Sequence, residues 1–244
     1  METRTVHNVD KMDQPLPTWL MLLLPLYTMV AIGLFVFPFA GDWLWLNGWL
    51  FVSSFSLSTS IAYWIINQKN PRVLRNRMKT KKSGLTNATQ QAASSDRFIM
   101  PALTLTWLAA LAVPSLGHRF GWPSLPLAAA IAGLVMSNAG LIVMHAAVMQ
   151  NAFASKLLDI NQDQHLIDTG LYGIVRHPLY AGVSIWILFA PLALGSLWGM
   201  IPSVLSVMVL AMRIRFEEDM LVSGMPGYAQ YRSRVRYRLF PGIY

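Results

Sequence analysis

Long uncharged stretches dominate the hydropathy pattern of this chain. About 20 consecutive apolar residues are enough to cross the hydrocarbon core of a bilayer. Stretches of at least this length occupy residues 17–40, 43–67, 98–117, 125–149 and 178–212. The pattern therefore predicts an all-α, polytopic integral membrane protein with four full spans and a fifth, unusual apolar segment.

The fifth stretch, residues 178–212, is too long for one span. A single helix of that length would extend roughly 52 Å, against a core about 30 Å thick. Pro191 and Gly195 lie near its middle and are expected to interrupt it. We predict a C-terminal transmembrane hairpin of two short helices. We also expect residues 17–40 to be a retained span, because its apolar core is longer than that of a signal peptide.

Composition supports the membrane assignment and excludes several kinds of site. The chain has 244 residues, of which 55% are hydrophobic and only 12% charged, whereas soluble domains average about 25% charged residues. The chain contains no cysteine, which excludes disulfides and thiolate ligands. The five histidines form no HExxH motif, so we predict no metal site.

Basic residues predict the orientation of the spans. The net charge is +8, and in a membrane protein an excess of Lys and Arg marks cytoplasmic loops rather than a nucleic-acid partner. Of the 19 Lys and Arg residues, only Arg119 falls on the opposite side of the predicted topology. Both termini should therefore be cytoplasmic, which requires residues 178–212 to turn back within the membrane.

The same pattern suggests a division of the chain. We expect an N-terminal tail at 1–16, two spans within 17–67, a basic cytoplasmic loop at 68–97 and a core at 98–244. The loop begins with "NPRVLRNRMK", which can form a basic surface helix after Pro71.

The fourth span carries small and polar residues. Gly133, Ser137 and Gly140 recur at spacings that allow another helix to approach closely. Asn138 and His145 lie in the same span. Two interpretations remain open for this pair, which are hydrogen bonding between helices and contact with a cofactor or substrate.

Two segments at the predicted cytoplasmic ends of the hairpin carry the candidate chemistry. One is "NQDQHLIDTGLYGIVRHPLY" at 161–180, and the other is "RIRFEEDML" at 213–221. Because the hairpin leaves this face and returns to it, the two segments can meet. Their polar side chains are Arg176, His177, Tyr180, Arg213, Glu217 and Glu218.

This combination of charges and rings suits a zwitterionic ligand. Arg or His can bind a carboxylate, Glu can bind an ammonium group, and tyrosine faces attract a sulfonium. S-adenosylmethionine carries all three groups, although ATP, NAD or a lipid headgroup could also use the cations. A purely structural alternative also stands, in which Arg176 anchors the interface, Pro178 starts a helix, and the two glutamates are solvated.

The ordered motifs resemble a known family. "RHPLYAG", followed some 35 residues later by "RFEEDML", is similar to the signature of the isoprenylcysteine carboxyl methyltransferase family, within a wider group that includes phospholipid methyltransferases. The tail "GYAQYRSRVRYRLFPGIY" looks like the family's closing segment, and "NPRVLRNRMK" resembles a stretch of its bacterial members. The resemblance covers about 68–244.

The resemblance implies an S-adenosylmethionine-dependent methyltransferase with its cofactor on the cytoplasmic side. Arg213, near the acceptor, and Glu217 match residues of the reaction site. The positions that match or flank the cofactor contacts are Gln164, His165, Leu166, Ile167, Tyr172, Arg176, His177, Pro178, Leu179, Tyr180, Glu217 and Glu218.

Partners and rival functions follow from the same resemblance. We expect the protein in a bacterial inner membrane, in contact with lipid and with a lipophilic or small carboxylate, thiol or amine acceptor, and without nucleic acid. One alternative is an NADPH-dependent membrane reductase of the sterol reductase type. Such reductases have a segment similar to "RHPLY" and a similar closing segment at the C-terminus. Another is a non-catalytic membrane protein.

Overall fold

The computed structural model describes residues 13–78, 87–151 and 166–244, and within these ranges it contains helices and no strand. The helices are α1 (Thr18–Ala40), α2 (Leu46–Lys69), α3 (Pro71–Met78), α4 (Asn87–Arg119), α5 (Leu127–Gln150), α6 (Pro178–Ala193), α7 (Met200–Gly224) and α8 (Tyr228–Arg234). A 3₁₀ turn at Gly170–Gly173 precedes α6. The all-α prediction is confirmed for the described residues.

Four helices are long and apolar enough to cross a membrane. They are Thr18–Ala40, Leu46–Lys69, Ser95–Arg119 and Leu127–Gln150, which coincide with the four predicted spans. Many of their large apolar side chains face outward and are exposed, as Leu22, Leu105 and Ile142 illustrate. Such surfaces require lipid rather than water, so the chain is an integral membrane protein.

The fifth apolar stretch is divided between two helices. α6 ends at Ala193 and α7 begins at Met200. Gly195 lies between them with a φ of 77°, a left-handed conformation that favours glycine. The two helices pack against each other, and their position relative to the bilayer remains a prediction.

Glycines set the closest helix contact, between α5 and α6. A Cβ added to Gly140 would lie 2.5 Å from the backbone nitrogen of Trp186, and one added to Gly133 would lie 2.6 Å from that of Ala193. Gly182 of α6 approaches the backbone of Met144 in the same way. The close approach predicted from the small residues of this span is confirmed.

The helices leave two distinct ends to the bundle. At one end the Nε2 atom of His118 lies 3.0 Å from the Oδ2 atom of Asp42, and the backbone N–H of Leu125 donates to the carbonyl of Gly195. At the other end Arg213 binds Asp96. The two segments with candidate chemistry therefore lie at the same end, as the antiparallel course of α6 and α7 requires.

Candidate functional site

A tight corner, formed by residues 170–180, places the first segment at the site. Gly170 has a φ of 59°, and a Cβ there would lie 2.7 Å from the Gln150 Oε1 atom. The same oxygen accepts a hydrogen bond of 3.0 Å from the backbone of Leu171. Pro178 then occupies the first turn of α6, where its missing N–H costs nothing. The corner is thus tied to the end of α5 and directs residues 176–180 toward α7.

The C-terminal tail holds this corner from the other side. The backbone N–H groups of Arg176 and His177 donate to the carbonyls of Tyr237 and Arg238, at 3.0 and 2.9 Å. The Tyr231 hydroxyl donates to the carbonyl of Tyr172 at 2.7 Å. The tail is therefore part of the site.

Glu218 is at the centre of a cluster of basic side chains, and its own side chain is only 1% exposed. Its Oε1 accepts from Arg176 Nε at 2.6 Å and lies 3.2 Å from His177 Nε2. Its Oε2 accepts from Arg238 Nε at 2.9 Å. Arg176 also donates to the carbonyls of Val235 and Arg236. Both carboxylate oxygens are thus engaged by the protein itself.

The hydrogen bonds to Glu218 control its ionisation. Burial acts to raise the pKa of this carboxyl, but the hydrogen bonds from His177, Arg176 and Arg238 outweigh burial and hold the pKa well below its usual range. The carboxylate is therefore charged throughout the physiological range.

Glu217 lies in a different and more open environment. Its side chain is half-buried, and its Oε2 accepts a hydrogen bond of 2.6 Å from the Tyr180 hydroxyl. That hydroxyl in turn accepts from Arg213 Nη1 at 3.0 Å, and the Arg213 Cζ lies 5.8 Å from the centre of the Tyr180 ring. The Tyr180 ring also stacks on the His177 ring at 5.7 Å. The result is an aromatic surface bordered by a carboxylate and a guanidinium.

Asp96 holds Arg213 in place. Its two oxygens accept from Arg213 Nε and Nη2 at 3.1 and 3.2 Å. Such a two-pronged contact fixes the plane of a guanidinium group. Sequence reasoning missed Asp96, because it lies at the start of a span in a basic, polar stretch, 117 residues before its partner. Arg238 was also missed as a partner, although the tail that carries it had been included in the resemblance.

The remaining predicted site residues do not share one surface. Tyr172 is buried beside Asn151, and burial raises its pKa to about 12. Leu179 packs against Ile66 and Val148, on the other side of α6 from Tyr180. Leu166 packs against Tyr228. Ile167 is half-buried, whereas Gln164 and His165 lie outside the described residues.

A cavity of about 370 Å³ lies at the other end of the bundle. Trp45, His118, Trp122 and Ser196 are among the residues that line it. None of the predicted site residues contributes to this cavity, so it is separate from the charged cluster.

Two polar residues of α5, Asn138 and His145, make different kinds of contact. Asn138 accepts a hydrogen bond of 2.5 Å from Ser58 and donates to Ser54 at 3.2 Å. These contacts confirm that it links α5 to α2. His145, in contrast, makes a hydrogen bond within its own helix, from Nδ1 to the carbonyl of Leu141 at 2.7 Å.

Comparisons with known proteins agree with the motifs. Residues 128–225 match the family model described as phospholipid methyltransferase. The protein-S-isoprenylcysteine O-methyltransferase of Schizosaccharomyces pombe is 39% identical over 80 residues, which are 31% of this chain and 33% of the yeast protein. The chain thus spans about a third of the length of this curated relative.

A solved structure is also similar. It is the eukaryotic intramembrane Ras methyltransferase named isoprenylcysteine carboxyl methyltransferase, with 18% identity, a TM-score of 0.46, and coverage of 93% of this chain and 88% of that one. The two sequence similarities confirm the resemblance to the isoprenylcysteine carboxyl methyltransferase group that the motifs indicated.

Proposed function

We propose that this membrane protein is an S-adenosylmethionine-dependent methyltransferase that transfers a methyl group to a lipophilic or small acceptor at the cytoplasmic face. The observation that carries the proposal is the contact of Tyr180 with both Glu217 and Arg213, at 2.6 and 3.0 Å. It joins the corner to α7 within the region that matches the methyltransferase family model.

The side chains of the candidate site fit this cofactor. The half-buried carboxylate of Glu217 suits the ammonium group, and the Tyr180 ring beside it suits the sulfonium. We assign direct cofactor contact to Glu217, Tyr180 and the neighbouring backbone. Arg176 and His177 both contact Glu218, so we assign these three residues the role of holding the corner in place.

When bound, the cofactor supplies an electrophilic methyl group. The contribution of this chain is to orient that group and the acceptor, and such positioning can lower a barrier by about 7–11 kcal/mol. Asp96 fixes the plane of the Arg213 guanidinium, and the resemblance to the family implies a position near the acceptor for this residue. A position at the membrane boundary excludes water from one side of the reaction.

The proposed cytoplasmic location of the reaction rests on the distribution of Lys and Arg. Because Lys and Arg concentrate at the end of the bundle that carries the site, the positive-inside bias favours a cytoplasmic face for it. The resemblance of the stretch after α2 to bacterial members supports a bacterial inner membrane. The pairing of α6 with α7 supports a hairpin within the bilayer.

Cofactor binding by the purified protein tests the proposal. We expect S-adenosylhomocysteine to bind the detergent-solubilised protein by calorimetry, and NADPH not to bind. Membranes containing the protein, incubated with methyl-labelled S-adenosylmethionine, should then transfer label into lipid, protein or a volatile product. NADPH binding without S-adenosylhomocysteine binding would replace the proposal with the reductase alternative, and binding of neither would favour a non-catalytic protein.

A further inference from the structure

The cavity of about 370 Å³ lies at the end of the bundle opposite the charged cluster. Of its lining residues, Asn47 lies at the start of α2, His118 at the end of α4, and Ser196 between α6 and α7. The backbone N–H of Leu125 donates to the carbonyl of Gly195 at 2.8 Å, which ties the α4–α5 turn to the α6–α7 turn. The cavity therefore lies where the spans end, at a membrane boundary. Its volume falls in the range of about 300–1,000 Å³ that is typical of ligand sites.

Ser196 contributes an unpaired hydroxyl to this part of the bundle. The residue is 5% exposed, and its Oγ atom has no hydrogen-bond partner within the part of the chain that the structure describes. The amide of Asn47 borders the same turn, because a Cβ added to Gly195 would lie 2.6 Å from the Asn47 Nδ2 atom. A buried hydroxyl without a partner costs free energy. Since hydroxyl and amide groups both donate and accept, a ligand that carries hydroxyl groups would satisfy them.

The charged groups beside the cavity are already paired with each other. The Nε2 atom of His118 lies 3.0 Å from Asp42 Oδ2, and Asp42 Oδ1 accepts from the backbone N–H of Leu44 at 2.8 Å. Both oxygens of this carboxylate are thus engaged. Among the described residues that line the cavity, none is acidic. An ammonium headgroup would therefore lack a counter-ion here, whereas a neutral hydroxylated group needs none.

Arg119 supplies a cation next to the cavity. It follows the lining residue His118 and is exposed. Its Nε atom would lie 3.5 Å from a Cβ added to Gly41, the neighbour of Asp42. The turns at this end of the bundle, residues 41–45, 120–126 and 194–199, contain no other Lys or Arg. Because a guanidinium group binds phosphate well, Arg119 is the candidate for a phosphate contact at this end.

Exposed apolar side chains surround the cavity. Leu44 precedes α2, Trp122 lines the cavity wall, and Leu197 and Trp198 lie between α6 and α7, and all four are exposed. Indole rings favour the boundary between lipid and water, and large exposed leucines at the end of a span require acyl chains rather than water. The surroundings of the cavity therefore favour a lipid over a freely soluble ligand.

We propose that this cavity binds an anionic phospholipid whose headgroup carries hydroxyl groups. Arg119 binds the phosphate, Asn47 and Ser196 hydrogen-bond the headgroup hydroxyls, and the apolar side chains around the cavity contact the acyl chains. The site is at the opposite end of the bundle from Glu217 and does not depend on the function proposed for that end.

A fluorescent reporter beside the cavity tests the proposal. Because the chain contains no cysteine, Leu127→Cys provides a single labelling position at the exposed start of α5. The labelled protein in detergent is titrated with phosphatidylglycerol, phosphatidylethanolamine and phosphatidylserine. We expect phosphatidylglycerol to bind at least about fivefold more tightly than either other lipid, since one net hydrogen bond contributes about this factor. Phosphatidylserine is also anionic but carries an ammonium group, so it separates charge from hydroxyl recognition.

The headgroup without acyl chains separates a lipid from a soluble ligand. sn-Glycero-3-phosphoglycerol has the phosphate and hydroxyl groups of phosphatidylglycerol. We expect it to bind more weakly than the lipid, because it makes no contact with the apolar side chains around the cavity. Equal affinity of the two would show that the occupant is a soluble phosphodiester and would overturn the assignment to a phospholipid.

Substitutions divide the headgroup contacts. Ser196→Ala and Asn47→Ala should each weaken phosphatidylglycerol binding about fivefold and leave phosphatidylethanolamine binding unchanged. Arg119→Gln should weaken both lipids by up to about fivefold, the range of an exposed ion pair, because both carry a phosphate. Arg215→Gln, which removes an exposed arginine from α7 near the other end, is the matched control and should leave the reporter signal unchanged.

Three results would overturn the proposal. One is equal affinity for phosphatidylglycerol and phosphatidylethanolamine in the wild type. Another is a preference for phosphatidylglycerol that survives both Ser196→Ala and Asn47→Ala. A third is a reporter that responds to no lipid, which would mean that the cavity holds only water. If Ser196→Ala fails to fold, Asn47→Ala and the order of lipid affinities in the wild type still decide.

Discussion

Glu217 and Glu218 are neighbours in the chain and lie in two different environments. Glu218 is buried, and the side chains of Arg176, His177 and Arg238 occupy its two oxygens. Glu217 is half-buried, and its described side-chain hydrogen bond comes from Tyr180. Successive residues of a helix diverge by about 100°, which places one carboxylate against the corner and tail and leaves the other at the edge of the aromatic surface.

The comparison teaches how to separate a structural carboxylate from a candidate ligand. A buried charge is tolerated when it is paired and hydrogen-bonded, and the three contacts of Glu218 use most of the acceptor sites of its carboxylate. A partly exposed carboxylate with remaining acceptor capacity can exchange water for an ammonium group. On this basis Glu218 assembles the site and Glu217 contacts its ligand.

Removal of Glu218 should have the largest effect on stability. In Glu218→Ala the buried Arg176 loses its counter-ion, and breaking a buried pair in this way costs about 3–5 kcal/mol. We expect a large drop in the thermal midpoint of the detergent-solubilised protein. Glu217→Ala is the matched control, and a similar drop in that variant would remove the distinction between the two carboxylates.

Neutralisation of Glu217 should instead affect ligand binding. A hydrogen bond to a charged group contributes about 1.5–3 kcal/mol, so Glu217→Gln should bind S-adenosylhomocysteine about 10- to 150-fold more weakly. The thermal midpoint without ligand should remain near that of the wild type. Asp219→Asn, an exposed neighbour on the same helix, is the control and should bind normally. Unchanged affinity in Glu217→Gln would exclude this carboxylate from the site.

The hydroxyl of Tyr180 connects the two functional candidates, so its removal tests whether they act together. Tyr180→Phe keeps the ring and loses the hydrogen bonds to Glu217 and Arg213. At about 1 kcal/mol for the net loss, we expect a decrease in methyl-transfer rate of roughly fivefold. Steady-state assays with labelled cofactor measure it, and a wild-type rate would show that Glu217 and Arg213 need no link through this hydroxyl.

Acidification should produce the smallest effect, a loss of stability that we expect to arise from the Glu218 cluster. Because the folded-state pKa of Glu218 is lowered, its contribution to stability is complete above the unfolded pKa, about 4.3, and declines as the pH falls toward the folded value. The loss approaches about 1.4 kcal/mol per pH unit below that point. Thermal midpoints between pH 3.5 and 7 should reveal this slope in the wild type, and Glu218→Gln should show less of it.

Much of the membrane architecture follows from the sequence alone. Runs of about 20 apolar residues have few alternatives to a membrane helix, because a bilayer leaves no other partner for the backbone. The break near Gly195 was also predictable, since a run of 35 residues exceeds the core. The ordered motifs of 170–182 and 213–221 predicted the resemblance to membrane methyltransferases, and they contain most of the charged residues that the structure brings together.

The division of labour within the site depended on the tertiary structure. Composition and spacing could not distinguish Glu217 from Glu218, because the two differ only in which distant groups lie beside them. The partners of Arg213 and Glu218, Asp96 and Arg238, come from a span far upstream and from the C-terminal tail. Sequence determines which helices form and where they stop, whereas the pairing of buried charges depends on side-chain packing between helices that are distant in the chain.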